Sequence, residues 1–233
     1  MIENKAYFSF EELSAIFGSD QLINLDSNLI ITNVTVDSRK AASESLFIAL
    51  KGDNLDGHTK VDDAFSRGAS ACLVDKNWYL DNSANFAGKS FIISVDNIKS
   101  LGELANYHRN RFTYPVIAIG GSNGKTTTKE MVYFVLSQKY KTHKSLLNHN
   151  NEIGLCQTVL SMPEDNEFLV IEMGMRGLGE IELLSKYASP DISVITNVGT
   201  AHIGRLGSVE NIAKAKCEIV KHMHSEGLLI AND

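Results

Sequence analysis

Short apolar runs alternate along the chain with stretches in which apolar residues recur every three or four positions. The runs SLFIAL (45–50), ACLVD (71–75) and SFIISV (90–95) predict strands. Between the first two, VDDAFSRGA predicts a helix ending near Gly68. IKSLGELANYHRNRF (98–112) places Ile98, Leu101, Leu104 and Ala105 on one helical face. TYP (113–115) follows, and proline disfavours helix at the residue before it, so this helix should stop there. The pattern then restarts. PVIAIGG, YKTHKS, EFLVIEMG, ISVITNV and GLLIAND predict strands, with helices at 124–138, 152–161, 178–187 and 209–224 between them. Strands alternating with helices predict an α/β fold with a parallel sheet covered on both faces. The restart predicts two domains, 1–112 and 113–233.

Composition narrows the function classes. A formal net charge of −6 over 233 residues offers no basic footprint for nucleic acid or an anionic membrane. Cys72, Cys156 and Cys217 match no metal spacing and read as small buried residues. MIENKAYFSF is no secretion signal, and no apolar stretch nears the ~20 residues of a membrane span. A cytoplasmic protein is expected, without membrane insertion.

IAIGGSNGKTTTKEM (118–132) carries the first chemistry. The common phosphate loop, G-x-x-x-x-G-K-[ST], would need glycine where Ile119 stands, and Gly120 is one step too close. The context is nonetheless that of a phosphate site. VIAI suits a buried strand, GGSNG tolerates positive φ, and KTTTKEMVYFVL has helical spacing at Met131, Val132, Val135 and Leu136. Exposed backbone N–H groups and the helix dipole there attract phosphate. Lys125 would reach the outer phosphates, and the Thr126 hydroxyl is placed to touch Mg²⁺. A solvated turn capping a helix is the alternative.

Three further residues stand out. Glu172 ends the run FLVI, at the carboxyl end of a buried strand, where ligands gather in open α/β sheets. A carboxylate there can hold a metal ion beside phosphates. His202 follows ISVITNV at the same edge; alone, it reads more readily as structural. Lys216 falls on the apolar stripe of Ile212, Ile219, Val220 and Met223. Burying an unpaired ammonium is costly, and a snorkelling side chain is the alternative.

The loop GSNGKTT (121–127) resembles the ATP loop of the Mur ligase family, G-[ST]-x-G-K-T-[ST], at every position, which accounts for the missing glycine. VDSRKAASESLFIALKGDNLDGHTKVDDAFSRGASACLVD (36–75) resembles that family's N-terminal UDP-binding module. TKEM, VIEMGMRGLGEI (170–181) and TNVGTAHIGRLGSVENIAKAKCEI (196–219) resemble the branch that adds D-alanyl-D-alanine to UDP-N-acetylmuramoyl-tripeptide. LNHNNEIG (147–154) is similar to a family segment near substrate and metals, with Cys156 where a proline is usual.

The resemblance implies a small N-terminal α/β UDP-binding domain followed by a P-loop-type parallel-sheet ATPase domain. It implies an ATP-dependent peptide ligase that activates a carboxylate as an acyl phosphate. Gly121, Ser122, Asn123, Gly124, Lys125, Thr126 and Thr127 would hold ATP. Thr126, Glu172, His202 and Lys216 would hold Mg²⁺, Lys216 as a carbamylated lysine. Lys125, Glu172, His202 and Lys216 would be the catalytic set. Ser38, Arg39, Asp56, His58, Asn150 and Asn151 would bind substrate. A helix cap at Asn150 and Asn151, and a turn at Asp56, remain as alternatives. The family carries a third, C-terminal domain with no trace here, and the chain stops after an apolar strand. A fragment inactive alone is therefore expected. A monomer is expected as well. The rival readings are a sibling ligase adding another amino acid, a folylpolyglutamate-like ligase, and a non-catalytic nucleotide-binding module.

Overall fold

Two five-stranded sheets organise the chain, one in each of two compact units that divide between Leu104 and Ala105. The division falls inside a helix, whereas the sequence-based boundary at 112/113 lies just past that helix. The computed structural model describes residues 4–52, 55–146 and 149–232. The first two residues of LNHNNEIG and the last of GLLIAND lie outside the described residues.

The N-terminal unit begins with β1 (Phe8–Ser9), α1 (Phe10–Phe17), β2 (Leu22–Ile23), β3 (Ile30–Ile31) and β4 (Asn33–Thr35). It continues with β5 (Ser45–Ile48), α2 (Val61–Ser66), β6 (Ala71–Asp75), α3 (Lys76–Asn82) and β7 (Phe91–Ser94), and ends in α4 (Asn97–Arg109), whose residues from Ala105 on, Arg109 among them, belong to the second unit. The strand order is β2-β7-β6-β5-β4, parallel except for the antiparallel β2–β7 pair. Phe47, Val61, Phe65, Val74 and Phe91 form a core on one face, with Trp78, Tyr79 and Phe86 packed around it. α1 and α3 both have polar N-caps. Ser9 and Glu12 make a reciprocal capping box, and the Asp75 carboxylate accepts from Asn77 N and Trp78 N.

The second unit holds β8 (Val116–Gly120), α5 (Lys125–Ser137), β9 (Thr142–Lys144), α6 (Glu152–Leu160), β10 (Phe168–Glu172) and α7 (Glu180–Ala188). It ends with β11 (Ile192–Ile195), α8 (Ile203–Leu206), α9 (Val209–Cys217) and β12 (Leu228–Ala231). All five strands are parallel, in the order β12-β11-β8-β10-β9. β8 is central and apolar throughout because both faces are covered. The chain leaves β8 for β9 at one edge, then returns to β10 and crosses to β11. Such a reversal opens a crevice beyond the carboxyl end of β8.

Two predicted stripes are corrected by the packing. On α5, Val132 and Leu136 pack against Ile117, Ile119 and Val170, but Met131 and Val135 face solvent at 64% and 68% exposure. The helix predicted over 209–224 stops at Cys217 and tightens into a 3₁₀ turn at Glu218–Val220. The change of pitch rotates Val220 out of the stripe, while Ile212, Lys216 and Ile219 stay buried. Cys217 is exposed, unlike Cys72 and Cys156.

Candidate functional site

The crevice is built from the ends of β8, β10 and β11. After β8 the backbone turns through Gly121 (φ +139°) and Gly124 (φ +79°) before α5 begins at Lys125. Gly124 occupies the N-cap without a side-chain cap, which leaves the first N–H groups of α5 open to an anion. Lys125 Nζ donates to Gly121 O at 3.1 Å and Ser122 O at 3.4 Å, so its ammonium lies over the loop.

The segment after β11 braces this loop. Thr196 Oγ1 donates to Asn123 O at 2.6 Å. The Asn197 side chain accepts from Asn123 N at 3.1 Å and donates to Asn123 O at 3.1 Å. Ser122 Oγ accepts from Gly199 N at 2.8 Å. Thr196 and Asn197 were not singled out from sequence, although their place directly after a buried strand was the available signal.

Thr126 Oγ1 donates to Glu172 Oε2 at 2.7 Å, and Asn150 Nδ2 donates to Glu172 Oε1 at 2.9 Å. The structure thus joins the loop, the end of β10 and the LNHNNEIG segment at one carboxylate, which is 5% exposed. Asn151 plays a different part: its side chain accepts from Gly154 N at 2.9 Å and caps α6. His202 has a left-handed backbone (φ +69°) at the start of α8. It lines a cleft of about 320 Å³ with Lys125, Asn150, Asn151, Arg176 and Glu180. Arg176 and Glu180 were not anticipated.

Lys216 is 2% exposed, and burial followed by the nearby Lys125 charge pushes its pKa down to about 8. Among the described residues, no three His, Cys, Asp or Glu side chains converge on one point. A metal ion at Thr126 and Glu172 would therefore complete its shell with phosphate oxygens and water, a hard-oxygen set suited to Mg²⁺.

In the N-terminal unit, the predicted residues follow β4 and β5, neighbouring parallel strands. Ser38 is buried, and Arg39 forks onto Asp37 at 2.9 and 2.8 Å. That guanidinium holds the Asp37 carboxyl down at about 2. His58 is buried, with Nδ1 2.6 Å from Asp56 Oδ1, while its Nε2 accepts from Asp75 N at 3.0 Å. Both ring nitrogens are thus engaged within the unit. Asp56 lines a second cleft, of about 370 Å³, with Lys51, Asp75, Trp78 and Asn97.

Comparison with known proteins agrees with this arrangement. Residues 30–110 match the Mur ligase family catalytic domain, and residues 119–233 the Mur ligase middle domain. The UDP-N-acetylmuramoyl-tripeptide–D-alanyl-D-alanine ligase of Synechocystis sp. is 43% identical over 211 residues, 90% of this chain and 45% of the relative. A crystal structure of MurF from Acinetobacter baumannii superposes with a TM-score of 0.88 at 30% identity, over 98% of this chain and 49% of that one. MurF ligase from Thermotoga maritima, in complex with ADP, superposes with a TM-score of 0.75 at 31% identity, over 85% and 45%. The chain spans about half the length of the curated relatives it matches. With the phosphate-loop crevice and both domain matches in place, the chain belongs to the Mur ligase family, of which it comprises the N-terminal and middle domains.

Proposed function

We propose that this chain supplies the precursor-binding and ATP-binding parts of a cytoplasmic ligase that joins D-alanyl-D-alanine to UDP-N-acetylmuramoyl-tripeptide. The observation that carries the reading is the Thr126–Glu172 pair at the mouth of the Gly121–Gly124 loop, with Lys125 over the loop. That is a site for a nucleotide triphosphate. The curated relative's name supports the acceptor and the amine, and the ADP complex of the Thermotoga protein supports the nucleotide.

In this reading a terminal carboxylate oxygen of the tripeptide attacks the γ-phosphorus, and the bond to ADP breaks. The amine of D-alanyl-D-alanine then attacks the acyl carbon, loses a proton, and expels inorganic phosphate. Lys125 offsets the charge of two anions brought together. Thr126 and Glu172 would hold Mg²⁺, which when bound neutralises phosphate charge. His202 lines the adjoining cleft with Lys125 and Asn150. Lys216, buried and with a depressed pKa, is suited to react as a free amine with CO₂; the carbamate would be an anion facing the cations of the site. In the N-terminal unit, Ser38, Arg39 and Asp56 would meet the uridine nucleotide, with His58 holding Asp56 in place.

The test is nucleotide-dependent protection against thermal unfolding. Mg-ADP or Mg-ATP should raise the melting temperature of the wild-type chain and leave Lys125→Ala where it was. A Lys125→Ala variant protected as fully as the wild type would remove the loop from consideration.

A further inference from the structure

Lys129 is fully buried, one turn beyond Thr126 on α5, and among the largest side chains wholly shielded from solvent. Its ammonium touches neither the phosphate loop nor the Glu172 carboxylate. A methionine would fill a similar volume without desolvating a charge, so the ammonium needs a polar reason to be there. Its Nζ donates to Ser145 O at 2.9 Å and lies 3.3 Å from Glu130 Oε1. Glu130 is also paired with Lys144, so the acid sits between two lysines at the edge of the helix.

Ser145 is the informative partner. It is fully buried directly after β9, and its Oγ accepts from Glu172 N at 3.2 Å. Its own N–H donates to Val170 O at 3.0 Å. One face of α5 therefore grips the end of β10 twice. Thr126 holds the Glu172 carboxylate directly, and Lys129 holds the Glu172 backbone through Ser145. Asn150 Nδ2 donates to the other carboxylate oxygen.

We infer that Lys129 is a positioning residue: through Ser145 it fixes where Glu172 presents its carboxylate, and hence how well the site takes a divalent cation with nucleotide. This rests on the reading that Glu172 holds the cation. Partners one shell out from a metal ligand commonly change metal affinity by about 10- to 100-fold.

The experiment is calorimetric titration of the whole chain with ADP, once with Mg²⁺ and once in EDTA. The ratio of the two affinities is the readout. Lys129→Met and Ser145→Ala should each lower that ratio by about tenfold, with the affinity in EDTA unchanged. A merely structural lysine would instead move the melting temperature, or both affinities together. Ser145→Ala breaks the Glu172 N–Ser145 Oγ bond and leaves the Lys129–Ser145 O bond in place, so if Lys129→Met does not fold, an unchanged ratio in Ser145→Ala alone overturns the inference. An unchanged ratio, or a parallel fall with and without Mg²⁺, overturns the inference. Glu172→Gln separates the two levels. If it lowers the ratio while the Lys129 and Ser145 variants do not, only the positioning role fails. If it leaves the ratio intact, the cation reading fails and takes this one with it.

Discussion

Gly121 and Thr196 approach so closely that a β-carbon on the glycine would lie 1.9 Å from Thr196 Oγ1. The same threonine hydroxyl donates to Asn123 O, so the contact that excludes a side chain at 121 also sets the loop's path. Two independent restraints act at this glycine, the φ of +139° and the threonine. Gly121→Ala is expected to cost about 1–3 kcal/mol from backbone strain and to abolish stabilisation by Mg-ADP. Adding Thr196→Ala relieves the overlap but not the backbone, so it should restore only part of the stability. Urea unfolding of both variants, with and without nucleotide, measures this. Full recovery in the double variant would show that φ carries no strain.

Arg109 is the second test, of stability rather than chemistry. Its guanidinium is 2% exposed and donates to Asp191 Oδ2 at 2.9 Å, Ala188 O at 3.0 Å and Phe112 O at 2.8 Å. Asp191 in turn accepts from Val116 N at 2.7 Å, at the first residue of β8. Removing the guanidinium costs Asp191 its main partner, although that carboxylate is 30% exposed and keeps Val116 N. Arg109→Met is therefore expected to lower unfolding stability by about 1–3 kcal/mol. Arg109→Lys cannot reproduce the fork of bonds and should recover less than half of that. A change near zero for Arg109→Met in urea unfolding would make the pair dispensable.

His58 distinguishes scaffold from ligand contact. With Asp56 on Nδ1 and Asp75 N on Nε2, the ring has no nitrogen left for a nucleotide. It also packs against Trp78, with ring centroids 5.3 Å apart. His58→Ala should lower the melting temperature clearly. Affinity for UDP-N-acetylmuramic acid, titrated at a temperature where both proteins are folded, should fall much less than for Arg39→Ala. The reverse ordering would make His58 a ligand contact and its hydrogen bonds incidental.

Much of the second unit was legible because two of its strands, β8 and β10, are buried on both faces. VIAI and FLVI are unbroken apolar runs, each ending where a site residue stands, and ISVI is broken only by Ser193. The N-terminal forty residues were silent for the opposite reason. β1 to β4 are two or three residues long, too short to show a period. Ser9 and Glu12, three apart, were the one signal there for α1, and it was not read as a helix start. Lys129 and Ser145 could not be read at all, since their link crosses from a helix to a strand end sixteen residues away. Lys216 was legible from its stripe, but Val220 was not, because a helix-to-3₁₀ change alters the phase without a sequence marker.

Lys216 gives the last prediction, in which pH and CO₂ act on one amine. Burial and the Lys125 charge put its folded-state pKa at about 8, below the usual 10.5 of lysine. Between those values the unfolded chain binds more protons than the folded one, so this lysine makes stability rise with pH across that window. Below about pH 8 both states are protonated, and the cost of the buried cation is fully present. Lys216→Met should therefore be more stable than the wild type near pH 7, with the advantage shrinking as pH rises through 8. Carbamylation acts on the neutral amine, so labelled bicarbonate should give a ¹³C carbamate resonance that grows over the same pH range and with Mg-ADP. Lys216→Met should show none, and its Mg-ADP affinity should not respond to bicarbonate. If the wild type shows no carbamate signal at pH 8.5 with Mg-ADP, and bicarbonate leaves its affinity unchanged, then Lys216 serves the site as a buried amine and the carbamate is excluded.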